Sequence, residues 1–133
     1  MSCVLRAGGT SFDVETFCTT TSLPVVARHT TGERRTPSSR PAQSAGLKVI
    51  VSEADFTDLG RQLEDAMAFL EAHAEEVRRL VAFPGVDGVA LDFGLARRDV
   101  PAQTDSFPAR LVSLAGALGL GITLSQYEIS SDA

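Results

Sequence analysis

The amino-acid sequence predicts an α+β domain: a mixed sheet of about five strands, two or three helices packed on one face, and the order βαββαβαβ around a ferredoxin-like core. Three observations predict it. Short β-branched runs recur between glycine and proline breaks, one long segment carries apolar residues at helical spacing, and the two kinds of segment alternate along the chain. Helical crossovers between strands of one sheet are right-handed, which sets the helices on the same side.

Taken in order, Val4 and Leu5 open a strand that stops at Gly8-Gly9. Ser11-Phe12-Asp13-Val14-Glu15 supplies a capping side chain and acidic residues for a short helix running to about Thr20, closed by Leu23-Pro24. Val25 to Ala27 form a second strand. From Thr30 to Ser44 the chain is polar, holds Pro37 and Pro41 and shows no periodicity, so the single domain expected over residues 1–133 carries a long polar loop at 30–45. Leu47 to Val51 is β-branched and bounded by Gly46 and Ser52, which makes it a strand with a central place in the sheet. Asp55, Thr57 or Asp58 caps the next element, one long helix whose stripe is Leu59, Leu63, Ala66, Met67, Leu70, Ala74, Val77 and Val81. Phe83-Pro84-Gly85 ends it, Val89 to Phe93 form a strand with Asp92 facing out or towards a partner, and a second loop covers Arg97 to Ser106. Pro108 starts a last helix, Gly119 or Gly121 stops it, and Ile122 to Tyr127 form the final strand.

Charge and composition narrow the function. The chain of 133 residues has a formal net charge of −5 and 44% hydrophobic residues, an ordinary globular composition. An acidic chain lacks the cations that general nucleic-acid binding draws on. Residues 1–48 nevertheless hold six basic against three acidic side chains, and residues 49–133 six against fourteen. Two cysteines, Cys3 and Cys18, are too few for a disulfide framework and favour a reducing compartment, so a cytoplasmic location is expected. No apolar run suits a secretory signal, and Leu111 to Leu124 is too short and too broken by glycine to span a bilayer.

Motifs that could carry chemistry have plainer readings. Asp92-Phe93-Gly94-Leu95-Ala96-Arg97 matches the magnesium-binding segment of protein kinases, but the glycine-rich loop, strand lysine and catalytic His-Arg-Asp are missing, so it reads as a strand end with a glycine turn. Gly8-Gly9-Thr10 precedes a helix where a phosphate could be cradled, yet Asp13 and Glu15 would repel an anion there, and a plain turn is expected. His29 and His73 are the only histidines and show no metal-ligand spacing, so neither metal nor cofactor is expected. Cys18 with His29 as base would be the sole nucleophile pair, and a free cysteine in a short helix more often fills space.

The segments Arg6-Ala7-Gly8-Gly9-Thr10-Ser11-Phe12-Asp13, Gly32-Glu33-Arg34-Arg35 and Ser44-Ala45-Gly46-Leu47 together resemble an uncharacterised family of small bacterial domains. That resemblance implies a bacterial cytoplasmic protein of a group suggested to include immunity or partner-binding proteins, with no established reaction. The residues themselves point the same way: a non-catalytic binding module is expected, the alternative being a small hydrolase-like enzyme or small-ligand binder. Arg28, His29, Arg34, Arg35 and Arg40 are the candidate partner-binding residues, since this arginine-rich stretch is balanced only by Glu33 and suits an acidic protein partner. A homodimer is compatible with such a module.

Overall fold

Alternating side chains in the first strand set the architecture. In β1 (Cys3–Gly9), Cys3, Leu5 and Ala7 point into the core while Arg6 stands exposed on the other side. A computed structural model describes residues 1–128 and continues with α1 (Val14–Thr20), β2 (Val25–His29), β3 (Ala45–Ser52), α2 (Leu59–Ala72), α3 (Ala74–Ala82), β4 (Gly88–Arg97), α4 (Ala109–Ala117) and β5 (Gly121–Glu128).

The fold is α+β, a five-stranded mixed sheet in the order β2-β3-β1-β4-β5 with four helices. β2, β3, β1 and β4 are antiparallel to their neighbours, and β5 runs parallel to β4. Interleaving of β1-α1-β2 with β3-α2-α3-β4 gives a split β-α-β arrangement, consistent with the expected ferredoxin-like core. α4 then crosses over to add β5 at the far edge.

All four helices feed one hydrophobic cluster on one side of the sheet. Val14 and Phe17 come from α1, Ala66, Phe69 and Leu70 from α2, Val77 and Leu80 from α3, and Leu111 and Ala115 from α4. They meet Leu5, Leu47, Val49, Leu91 and Phe93 from the strands. Among the described residues no helix covers the opposite sheet face, which carries Arg6, Lys48 and Asp92.

Two expectations need correction. The single helix expected from Leu59 to Val81 is two, broken at His73, whose backbone leaves helical values at φ −119° and ψ 21°. A straight helix of that length would reach roughly 35 Å, beyond strands of five to ten residues. The bend keeps both halves over the sheet, and the helix count becomes four. Gly94, in turn, is no turn: it lies inside β4, where a Cβ would collide with the Phe56 ring, at 2.6 Å from Cε1.

Caps follow the expected residue types. Asp13 accepts from the Thr16 N–H to cap α1, and Asp58 accepts from the Arg61 N–H to cap α2. Gln62, fully buried, donates from Nε2 to the Gly94 carbonyl at 2.8 Å and so ties α2 to β4.

Candidate functional site: a cationic groove on the open sheet face

The uncovered sheet face becomes a groove because the chain between β2 and β3 folds back over it. Gly32, at φ +89°, turns the chain. Its N–H donates to the Ala42 carbonyl at 2.7 Å, and the Ala42 N–H donates to the Glu33 carbonyl at 2.8 Å, so the loop is an extension of the β2-β3 hairpin. Glu33 accepts from the Thr30 N–H through its carboxylate, and Arg34 donates from Nη1 to the Ser39 carbonyl at 2.6 Å. Beneath the loop lies a groove of about 780 Å³ bordered by one acid, Glu33, and six cations, of which Arg28 directs its guanidinium to the other side of the sheet.

The floor of this groove comes from the strands. Register places Arg6 of β1 directly opposite Lys48 of β3, two cations side by side on the open face. Like charges directly opposite each other destabilise a sheet. Asp92 offsets Arg6: its Oδ2 accepts from Arg6 Nε at 2.8 Å and its Oδ1 from Ser125 Oγ at 2.7 Å. Among the described residues Lys48 has no ion-pair partner. A row of glycines, Gly46, Gly8 and Gly88, crosses β3, β1 and β4 in register and leaves backbone in place of side chains at that end of the floor.

All five residues singled out from the sequence border the groove, but their side chains do not all face it. Arg34, Arg35 and Arg40 line the groove from the loop, and Arg35 and Arg40 form no ion pair among the described residues. His29 stands on the same open face, its ring over Gly46. Arg28 is one residue away and therefore turns to the helix side, where it meets Glu15 of α1 at 3.4 Å. A hydrogen bond with Cys18 and the Glu15 charge hold the Arg28 guanidinium's pKa above its ordinary value. The sheet thus separates Cys18 from His29, so they form no nucleophile-base pair. Sequence reasoning missed Arg6 and Lys48 and marked Asp92 without its partner; each is one charged side chain inside an apolar strand, which marks an outward face but not its neighbours.

The other motifs resolve into packing. Gly9 approaches the Gly85 carbonyl so closely that no Cβ would fit, while the Thr10 N–H donates to Asp87 Oδ2 at 3.2 Å. The turn expected at Gly8-Gly9-Thr10 begins later: Gly8 and Gly9 pair within β1, the chain turns at Thr10 and Ser11, and the Thr10 N–H is taken by a carboxylate. Asp92, Phe93 and Gly94 serve the Arg6 pair, the core and the Phe56 contact respectively. Among the described residues no cluster of three His, Cys, Asp or Glu side chains could hold a metal ion, and no helix is long and apolar enough to cross a membrane. No family model, curated protein or solved structure matches the chain. The fold and the groove therefore carry the functional argument without relatives.

Proposed function

We propose that this protein is a non-catalytic binding module whose open-face groove takes an acidic segment of a protein partner. One observation carries the reading: Arg6 and Lys48 stand side by side on the groove floor, beneath Arg34, Arg35 and Arg40, in a chain whose net charge is −5. Cations held next to each other at a cost to the sheet gain most from an incoming anion. Carboxylates fit, because arginine grips them through a bidentate fork and the glycine backbone at Gly8 and Gly88, away from the His29 ring over Gly46, lets an extended segment lie close. Both cysteines are free, which supports a reducing, cytoplasmic setting.

A small anionic ligand is the second reading, favoured by a groove volume within the range of small-molecule sites. Fluorescence anisotropy with a labelled Glu/Asp-rich peptide separates the two. The peptide should bind, a neutral peptide of equal length should not, and changing Arg34, Arg35 and Arg40 together to alanine should weaken binding by roughly ten- to a hundred-fold at unchanged melting temperature. Equal binding by the triple variant would overturn the proposal, and displacement of a bound peptide by small dicarboxylates alone would favour the second reading.

A further inference from the structure

The two edges of the sheet are built differently. β2, at one edge, is five residues long, follows Pro24, shifts register between Val25 and Ala27 and carries Arg28. Each of these features discourages another strand from pairing there. β5, at the other edge, is eight residues long and has no proline, lysine or arginine. Its pairing with β4 runs without a register shift from Gly121 to Glu128. Among the described residues nothing pairs with its outer side, so a row of backbone N–H and C=O groups faces outward.

Side chains on β5 show what kind of strand fits. Ile122 and Leu124 lie in register with Leu91 and Phe93, on the helix side of the sheet, yet are 36% and 38% exposed where the core strands are covered. We infer that the outer edge of β5 is the docking surface for a second copy of this chain, joined by antiparallel β5-β5 pairing about a two-fold axis perpendicular to the sheet. Opposed residues in such a pair point to the same face, so the axis must pass through a residue position. With the axis at Thr123, Ile122 of each copy lies beside Leu124 of the other, and the two half-exposed apolar pairs cover one another. The strand is also self-compatible in charge: Glu128 is its single charged residue, at one end, and antiparallel pairing keeps it far from its symmetry mate. Isologous pairing of this kind closes on itself and leaves no further open edge of the same sort, since only β2 remains outside.

The resulting ten-stranded sheet would present both open faces in one direction. The groove floors, at β3 of each copy, would stand seven strand spacings apart, roughly 34 Å. Two acidic segments could then be held at once, and pairing itself does not depend on what the groove binds.

Sedimentation velocity over a rising concentration series tests the inference with the full chain. The wild type should shift from monomer to dimer. Leu124→Lys should remain monomeric, and so should Thr123→Lys, which puts an edge charge on the open face without touching the core. Val26→Lys, a charge at the exposed β2 edge, and the triple arginine variant should both dimerise like the wild type. A wild type that stays monomeric throughout, a Thr123→Lys variant that still dimerises, or a Val26→Lys variant that does not, would each overturn it.

Discussion

Individual residues in this protein are constrained mostly by backbone approach and by what lies on their face of the sheet. Gly85 is the sharpest case. It holds φ +87°, and a Cβ there would run into the Ser11 carbonyl group. Gly85→Ala should therefore cost about 2 kcal/mol or more, from the left-handed conformation and from displacement of the Gly9-to-Ser11 turn. Gly88, whose Cβ would meet nothing within 4 Å, is the control: Gly88→Ala should change stability by less than about 0.5 kcal/mol. Urea denaturation of both variants checks the contrast. Cys3 gives a second residue-level prediction. Burial pushes its thiol up to about 12, with the Asp92 and Asp65 carboxylates adding to the effect. Thiolate is the reactive form, so at about pH 8 an aromatic disulfide reagent should leave Cys3 unmodified in the folded protein and modify it in urea. Mass spectrometry of the labelled peptides distinguishes it from Cys18, which is only half-buried.

Between elements, the corner where α1 meets α3 is held by one charged cluster. Glu76 Oε1 accepts from Arg79 Nε at 2.9 Å and from Thr21 Oγ1 at 2.9 Å, while Arg79 also donates to Thr20 Oγ1 and lies 4.5 Å above the Phe17 ring. Phe12, Phe17 and Phe83 pack edge to face beneath it. The Arg79 hydrogen bond, with help from Thr21, holds the Glu76 carboxyl below its ordinary pKa of 4.5. A depressed carboxyl contributes stability that is present above the unfolded value near 4.5 and is lost as pH falls through the lower folded value. Glu76→Gln should thus be less stable than the wild type near neutrality, with the gap closing as pH falls below 4.5. Melting temperatures measured across that range check the sign. The break at His73 belongs to this scale as well. Neither proline nor glycine marks it, and the apolar spacing runs in phase from Leu70 to Val77, so periodicity alone reads one helix where there are two. His73 caps α2 through its own N–H to the Phe69 carbonyl, and its ring rests 4.7 Å from that of Phe69.

Across the whole molecule, charge is divided between the two sides of the sheet. On α2 and α3 acids such as Glu64, Glu71 and Glu75 outnumber the arginines, while the open face gathers Arg6, Lys48 and the loop arginines. This division suits steering of an acidic segment towards the groove from one direction. Binding of the acidic peptide should then weaken steeply with added salt, and the triple arginine variant should lose most of that dependence along with its affinity. A salt slope unchanged in the variant would mean that other cations do the binding.

Element types were legible in the sequence because they depend on contacts within a few residues. The β-branched run at Leu47 to Val51, the caps at Asp13 and Asp58 and the stripe through Leu70 and Val77 each follow from local backbone geometry, and so does the arginine content of the loop before β3. Strand register is another matter, since it is set by partners far apart in the chain. Only the folded sheet puts Arg6 beside Lys48, brings Asp92 to Arg6 across 86 positions, sends Arg28 and His29 to opposite faces and, among the described residues, leaves β5 without an outer neighbour. A side-chain period of two tells which residues share a face of one strand, whereas which strands lie together is decided by burial of the whole apolar side at once.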